Sequence, residues 1–133
     1  MRKPIKVPLN PPKEEFRFGN CAAVAISQAF SVPFWVVNSI SKSLKFNIHE
    51  GLDYWQCKKL IDLISQESGN SNEYISNKTN VRYIQMAVLL KGKYLVMFHN
   101  HLSYMEDGQI YDRYFDEEDI IRITPTGWWV IKS

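Results

Sequence analysis

The sequence predicts an α+β fold in which helices come first and an antiparallel sheet follows. Up to Gly92 apolar residues recur at helical spacing, as in "YWQCKKLIDLI" and "VRYIQMAVLL". Beyond Gly92 the apolar runs become short and rich in aromatic and β-branched residues. Between two of those runs stands Asp107-Gly108, a strong short-range hairpin signal. Helices in one stretch and strands in the next are the segregation that marks an α+β domain.

Each element has its own local reason. Residues 1–15 hold four of the six prolines, Pro4, Pro8, Pro11 and Pro12. Proline removes ladder donors and keeps its predecessor extended, so this stretch reads as an extended arm over the domain. Gly19-Asn20 offers a turn and a helix cap, and an Ala-rich helix is expected over 21–30. "SVPF" ends it, and Pro33 suits the first turn of a second helix with Pro33, Val37, Ile40 and Leu44 near one face. Asp53 can cap a third helix over 54–64, whose buried stripe is Cys57, Leu60, Ile61 and Ile64. The polar run 65–80 reads as a mobile loop. Its Asn77-Lys78-Thr79 fits the glycosylation triplet, a chance match where no secretory signal is seen. A fourth helix is expected from Val81, stopped by Gly92. "KYLVMF", "HLSYM" and "QIYD" read as strands, and "DIIRIT" and "WWVIK" as two more on either side of Pro125-Thr126-Gly127.

The bulk properties narrow the function classes. The 133 residues suit one domain, 1–133, that buries roughly two-thirds of its unfolded surface. The net charge of +2 is small and its Lys and Arg are scattered, which argues against a nucleic-acid partner. No apolar run approaches the ~18 residues of a membrane span. The N-terminal "MRKPIKVPLNPPKEE" lacks the apolar centre of a signal peptide, so a cytoplasmic location without a membrane partner is expected. In that compartment Cys21 and Cys57 are two thiols, not a bridge. With no Cys-x-x-Cys, two cysteines and three histidines do not make a structural zinc site, and no cofactor is implied.

Two segments carry candidate chemistry. With Asn20 as cap, Cys21 falls in the first turn of its helix, where unpaired N–H groups and the helix dipole favour negative charge and offer donors to an oxyanion. A half-buried cysteine at a helix start is the plainer alternative. Cys57 lies mid-helix on the apolar stripe and reads as core. Among the histidines, His49 lies in a polar turn. His99 and His101, in "FHNHL", would share one strand face, a metal-like spacing without an evident third ligand. The hairpin sharpens the reading of His101. If Asp107-Gly108 are the central turn residues, Glu106 faces Gln109, Ser103 faces Asp112 and His101 faces Tyr114. Alternation then puts His101, Ser103, Asp112 and Tyr114 on one face, with Asp112 diagonal to His101 at about 7–8 Å by backbone position. That suits a base oriented by an acid, while Asp107 at the turn tip points to solvent. Trp35, Trp55, Trp128 and Trp129, with Tyr54, Tyr104, Tyr111 and Tyr114, are expected mainly as packing.

Cysteine, then about 80 residues, then His and Asp on a hairpin is an ordered pattern. The stretches "GNCAAVAISQAFSVPFWVV" and "KGKYLVMFHNHLSYMEDGQIYD" resemble those of the papain-like cysteine peptidases, closest to the branch with bacteriocin-leader-processing peptidases and small phage-encoded relatives. The resemblance covers most of residues 16–115. It implies a papain-like fold with an N-terminal helical lobe carrying the Cys helix and a C-terminal antiparallel sheet. It also implies a thiol hydrolase acting on a protein or peptide substrate, with Cys21 as nucleophile, His101 as general base and acid, and Asp112 as the orienting residue. The sequence departs from the pattern at Glu15, six residues before the nucleophile, where that fold usually has a glutamine that donates to the oxyanion. It also has Ala22 where many of those relatives have glycine. The alternative reading is a catalytically silent protein of the same fold that binds a host or partner protein.

Overall fold

The computed structural model describes residues 5–6, 21–48, 50–99, 101–112 and 115–132. In chain order the elements are β1 (Ile5–Lys6), α1 (Cys21–Ala29), α2 (Phe34–Ser43), α3 (Tyr54–Ser68), β2 (Ser71–Ser76) and α4 (Tyr83–Leu89). They are followed by β3 (Lys93–Phe98), β4 (His101–Glu106), β5 (Gln109–Tyr111), α5 (Glu117–Arg122) and β6 (Gly127–Lys132). The strands form one sheet in the order β1-β5-β4-β3-β6-β2. All neighbours are antiparallel except β1, which runs parallel to β5 with Ile5 beside Ile110 and Lys6 beside Tyr111. The fold is therefore α+β, as expected, although strands also come from the N-terminal and middle parts of the chain.

Helices cover both faces of the sheet. On one face Leu95, Met97, Leu102, Tyr104, Trp129 and Ile131 join a core with α1, with Phe34 and Val37 of α2, and with the α3 stripe Cys57, Leu60, Ile61 and Ile64. On the other face Val96, Phe98, Met105 and Ile110 pack on Tyr83 and Met86 of α4 and Ile120 of α5. A strand buried on both sides needs no polar alternation, and that accounts for the unbroken apolar run "KYLVMF". No helix among the described residues is long and apolar enough to cross a membrane.

The helix ends follow local chemistry. Asp53 Oδ1 accepts the Gln56 N–H at 2.9 Å while Gln56 Oε1 accepts the Asp53 N–H at 3.0 Å, a reciprocal capping box. Gly69, at φ 73°, ends α3 in the left-handed conformation that glycine adopts without strain. In α2 Pro33 is the exposed N-cap, and the buried line is Phe34, Val37 and Ser41, with Ile40 and Leu44 partly covered. Val37, Ile40 and Leu44 of the expected face thus reach the core, and Pro33 does not.

Three further expectations are corrected. The run 65–80 is a loop only at 69–70 and 77–80: Ser65–Ser68 continue α3, and β2 forms an edge strand against β6. An edge strand has one face to bury, and Tyr74 suffices, its ring 4.7 Å from that of Trp129. Asn72 ties the strand to α3, donating to Ser65 Oγ at 2.9 Å and Asp62 Oδ1 at 3.2 Å. Asn77 Nδ2 donates to the carbonyls of Val81 and Pro125, both at 2.9 Å, so its amide is used by the fold itself. Secondly, α4 ends at Leu89, before Gly92, whose φ of 100° turns the chain into β3. Asp107 Oδ1 accepts the Gly92 N–H at 2.8 Å, so this exposed turn residue anchors the hairpin tip and does not merely face solvent. Finally, "DIIRIT" is largely helix, not strand. Asp116 Oδ1 caps α5 by accepting the Asp119 N–H at 2.8 Å, and only one side of the run is buried, with Ile120 at 0% and Ile121 at 55% exposure. The structure of the arm beyond Ile5–Lys6, and that of His49, lie outside the described residues.

Candidate active site

Cys21 is the first residue of α1 and is half-buried. Every later residue of the helix except Gln28 is buried, so α1 is gripped along its length and its first turn is held firmly. The first-turn N–H groups lack helical acceptors and present partial positive charge at the thiol end.

His101 is the first residue of β4 and pairs with Phe98, the last of β3, at the end of the sheet. The hairpin register is the one the turn predicts: Glu106 faces Gln109, Met105 faces Ile110 and Tyr104 faces Tyr111. One step beyond the ladder, Asp112 Oδ2 lies 2.7 Å from His101 Nε2. Both side chains are buried, at 7% and 4% exposure, so water screens their attraction little. Burial pulls the His101 pKa down, but the hydrogen bond to Asp112, the one to Cys21 and the charges of both partners outweigh it and lift it to about 9. The thiol and the carboxylate therefore both act on one imidazole.

The ring is also held by aromatic contacts. Phe115 meets it edge-on with centroids 4.7 Å apart, and Phe98 lies at 6.3 Å. Behind the pair, on the same strand face, Ser103 Oγ and the fully buried Tyr83 hydroxyl are hydrogen-bonded at 2.7 Å. Ser103 lies on the face that the hairpin register predicts. Phe115 and Tyr83 come from segments outside the hairpin, and no sequence spacing points to them.

The other candidates separate clearly. Cys57 is fully buried, its Sγ 3.8 Å from the Leu52 carbonyl. Burial, and then the charges of Cys21 and Asp53, push its thiol well above the ordinary range, which suits a core residue. His99 lies in the exposed turn between β3 and β4 and does not share a strand with His101, which corrects the paired-face expectation. Among the described residues no group of three His, Cys, Asp or Glu side chains is placed to hold a metal ion. Trp129 is packed against Tyr54 and Tyr74, whereas Trp35 and Trp55 are 68% and 72% exposed. Glu15, Asn20 and Tyr114 lie outside the described residues.

Chemically, a thiol, an imidazole with one nitrogen committed to a carboxylate and a helix N-terminus are the groups that nucleophilic catalysis by cysteine requires. The carboxylate holds the ring through Nε2. Comparison with protein-family models, curated proteins and solved structures finds no match to this chain.

Proposed function

We propose that this chain is a papain-like thiol hydrolase that cleaves an amide bond in a peptide or a peptide-linked substrate. The observation that carries the reading is the buried 2.7 Å contact between His101 Nε2 and Asp112 Oδ2, on an imidazole that also feels the Cys21 thiol. The papain-like assignment is supported by a cysteine opening a buried helix, followed in the chain by an antiparallel hairpin carrying the histidine and the acid.

In this reading the Cys21 proton passes to His101 and Sγ attacks the substrate carbonyl carbon. The tetrahedral oxyanion is met by first-turn N–H groups of α1. His101 returns the proton to the leaving amine as the C–N bond breaks, which leaves a thioester on Cys21. Water, losing its proton to His101, attacks the thioester, and the acid departs as sulfur recovers its proton. Asp112 keeps the ring oriented throughout and stabilises the imidazolium.

A pooled peptide library analysed by mass spectrometry tests the reading. Wild type should give discrete cleavage products. Cys21→Ala and His101→Ala should each reduce them by about a hundredfold or more, in the range that loss of acid–base catalysis produces. Cleavage that survives Cys21→Ala would refute it.

A further inference from the structure

A cavity of about 460 Å³ opens at the C-terminal end of α1, away from the end that carries Cys21. It lies between Ser27, Gln28 and Ser31 on one side and Tyr104, Glu106 and Tyr111 of the β4–β5 hairpin on the other. Because Tyr104 faces Tyr111 and Glu106 faces Gln109, these four hairpin side chains share the sheet face that α1 covers.

The chemistry of this face is one-sided. The Tyr104 hydroxyl donates to Glu106 Oε1 at 2.6 Å, which fixes the carboxylate. The Tyr104 and Tyr111 rings lie 5.5 Å apart, tilted by 32°, and both line the cavity. The last turn of α1 contains no basic residue, so the negative end of its dipole has no cation of its own there. The Lys93 ammonium is 3.8 Å from Glu106 Oε1 and its side chain is 41% exposed, a long and water-screened pair that a better-placed cation can replace.

A carboxylate, a helix C-terminus and two aromatic rings lining one cavity call for a donor-rich cation. We propose that this cavity binds the guanidinium or ammonium group of an arginine or lysine side chain of a peptide. α1 has nine residues, a length of about 13 Å. An extended peptide covers that distance in about four residues at ~3.3 Å each. Because α1 is covered along its length, the cationic side chain would then sit at least about four residues from the bond that Cys21 attacks, a placement that rests on the hydrolase reading.

Isothermal titration calorimetry with arginine amide, and with citrulline amide as a neutral ligand of matching shape, tests the cavity without relying on catalysis. Arginine amide should bind wild type at least about tenfold more tightly than citrulline amide, a gap of about 1.4 kcal/mol. Glu106→Gln should remove that preference, Tyr111→Leu should weaken arginine amide, and neither should change the rate of Cys21 alkylation. Equal binding of the two amides, no binding of either, or a preference that survives Glu106→Gln overturns the proposal. If arginine amide binds as expected but Cys21 shows no His101-dependent reactivity, the cavity stands and the hydrolase reading falls. If Cys21 is reactive and the amides are not distinguished, the reverse holds.

Discussion

At the scale of single residues, His101 makes the most direct thermodynamic statement. Its pKa rises from an ordinary 6.5 to about 9 in the folded chain, where Asp112 and Cys21 outweigh the cost of burial. The folded state therefore holds this proton more tightly than the unfolded state does. The resulting stabilisation is fully present below about pH 6.5 and is lost as pH rises through about 9. Urea midpoints measured across this window should fall with rising pH in wild type, and the fall should be much shallower in His101→Gln. Much of this pair is legible in the amino-acid sequence. Asp107-Gly108 fixes a two-residue turn, the turn fixes the register, and the register makes Asp112 the diagonal neighbour of His101. The aromatic contact from Phe115 is not legible there, because it depends on the path of the chain after the hairpin.

At the scale of elements, capping chemistry and steric limits give separate expectations. Asp53→Ala removes one half of the α3 capping box and should cost about 1 kcal/mol in chemical denaturation. Gly127 stands where β2 and β6 meet, and an added Cβ would run into the Tyr74 hydroxyl and lie 2.7 Å from the Ile75 carbonyl oxygen. Gly127→Ala should therefore destabilise the protein by about 1–3 kcal/mol, as overpacking does, with its effect on amide exchange concentrated in β2. Helices with a side-chain cap and an apolar stripe, such as α3, are readable from the sequence pattern. The misread elements are those whose pattern is set by partners. "SNEYIS" looks like loop until Trp128 and Trp129 supply the strand beside it, and "DIIRIT" looks like strand although Asp116 caps it as a helix. β-branched residues favour a strand through the neighbours they pack against, so their presence alone does not decide against a capped helix.

At the scale of the whole molecule, three separate segments have to meet for the proposed chemistry to exist. α1 presents Cys21 from one layer, the sheet end presents His101, and the chain just beyond β5 presents Asp112. Helices on both sides of the sheet hold these parts in place, so the proposed reactivity of Cys21 depends on the folded chain. Cys57 provides an internal reference, since burial closes it to reagents and disfavours its thiolate. The most direct test is iodoacetamide alkylation at neutral pH, with the modified residue identified by peptide mass mapping. In the native protein Cys21 should be alkylated well before Cys57, His101→Ala should slow Cys21 by about tenfold or more, and unfolding in urea should abolish the difference between the two cysteines. Native Cys21 and Cys57 reacting at the same slow rate, or Cys21 reacting at an unchanged rate in His101→Ala, would contradict the proposed nucleophilic site.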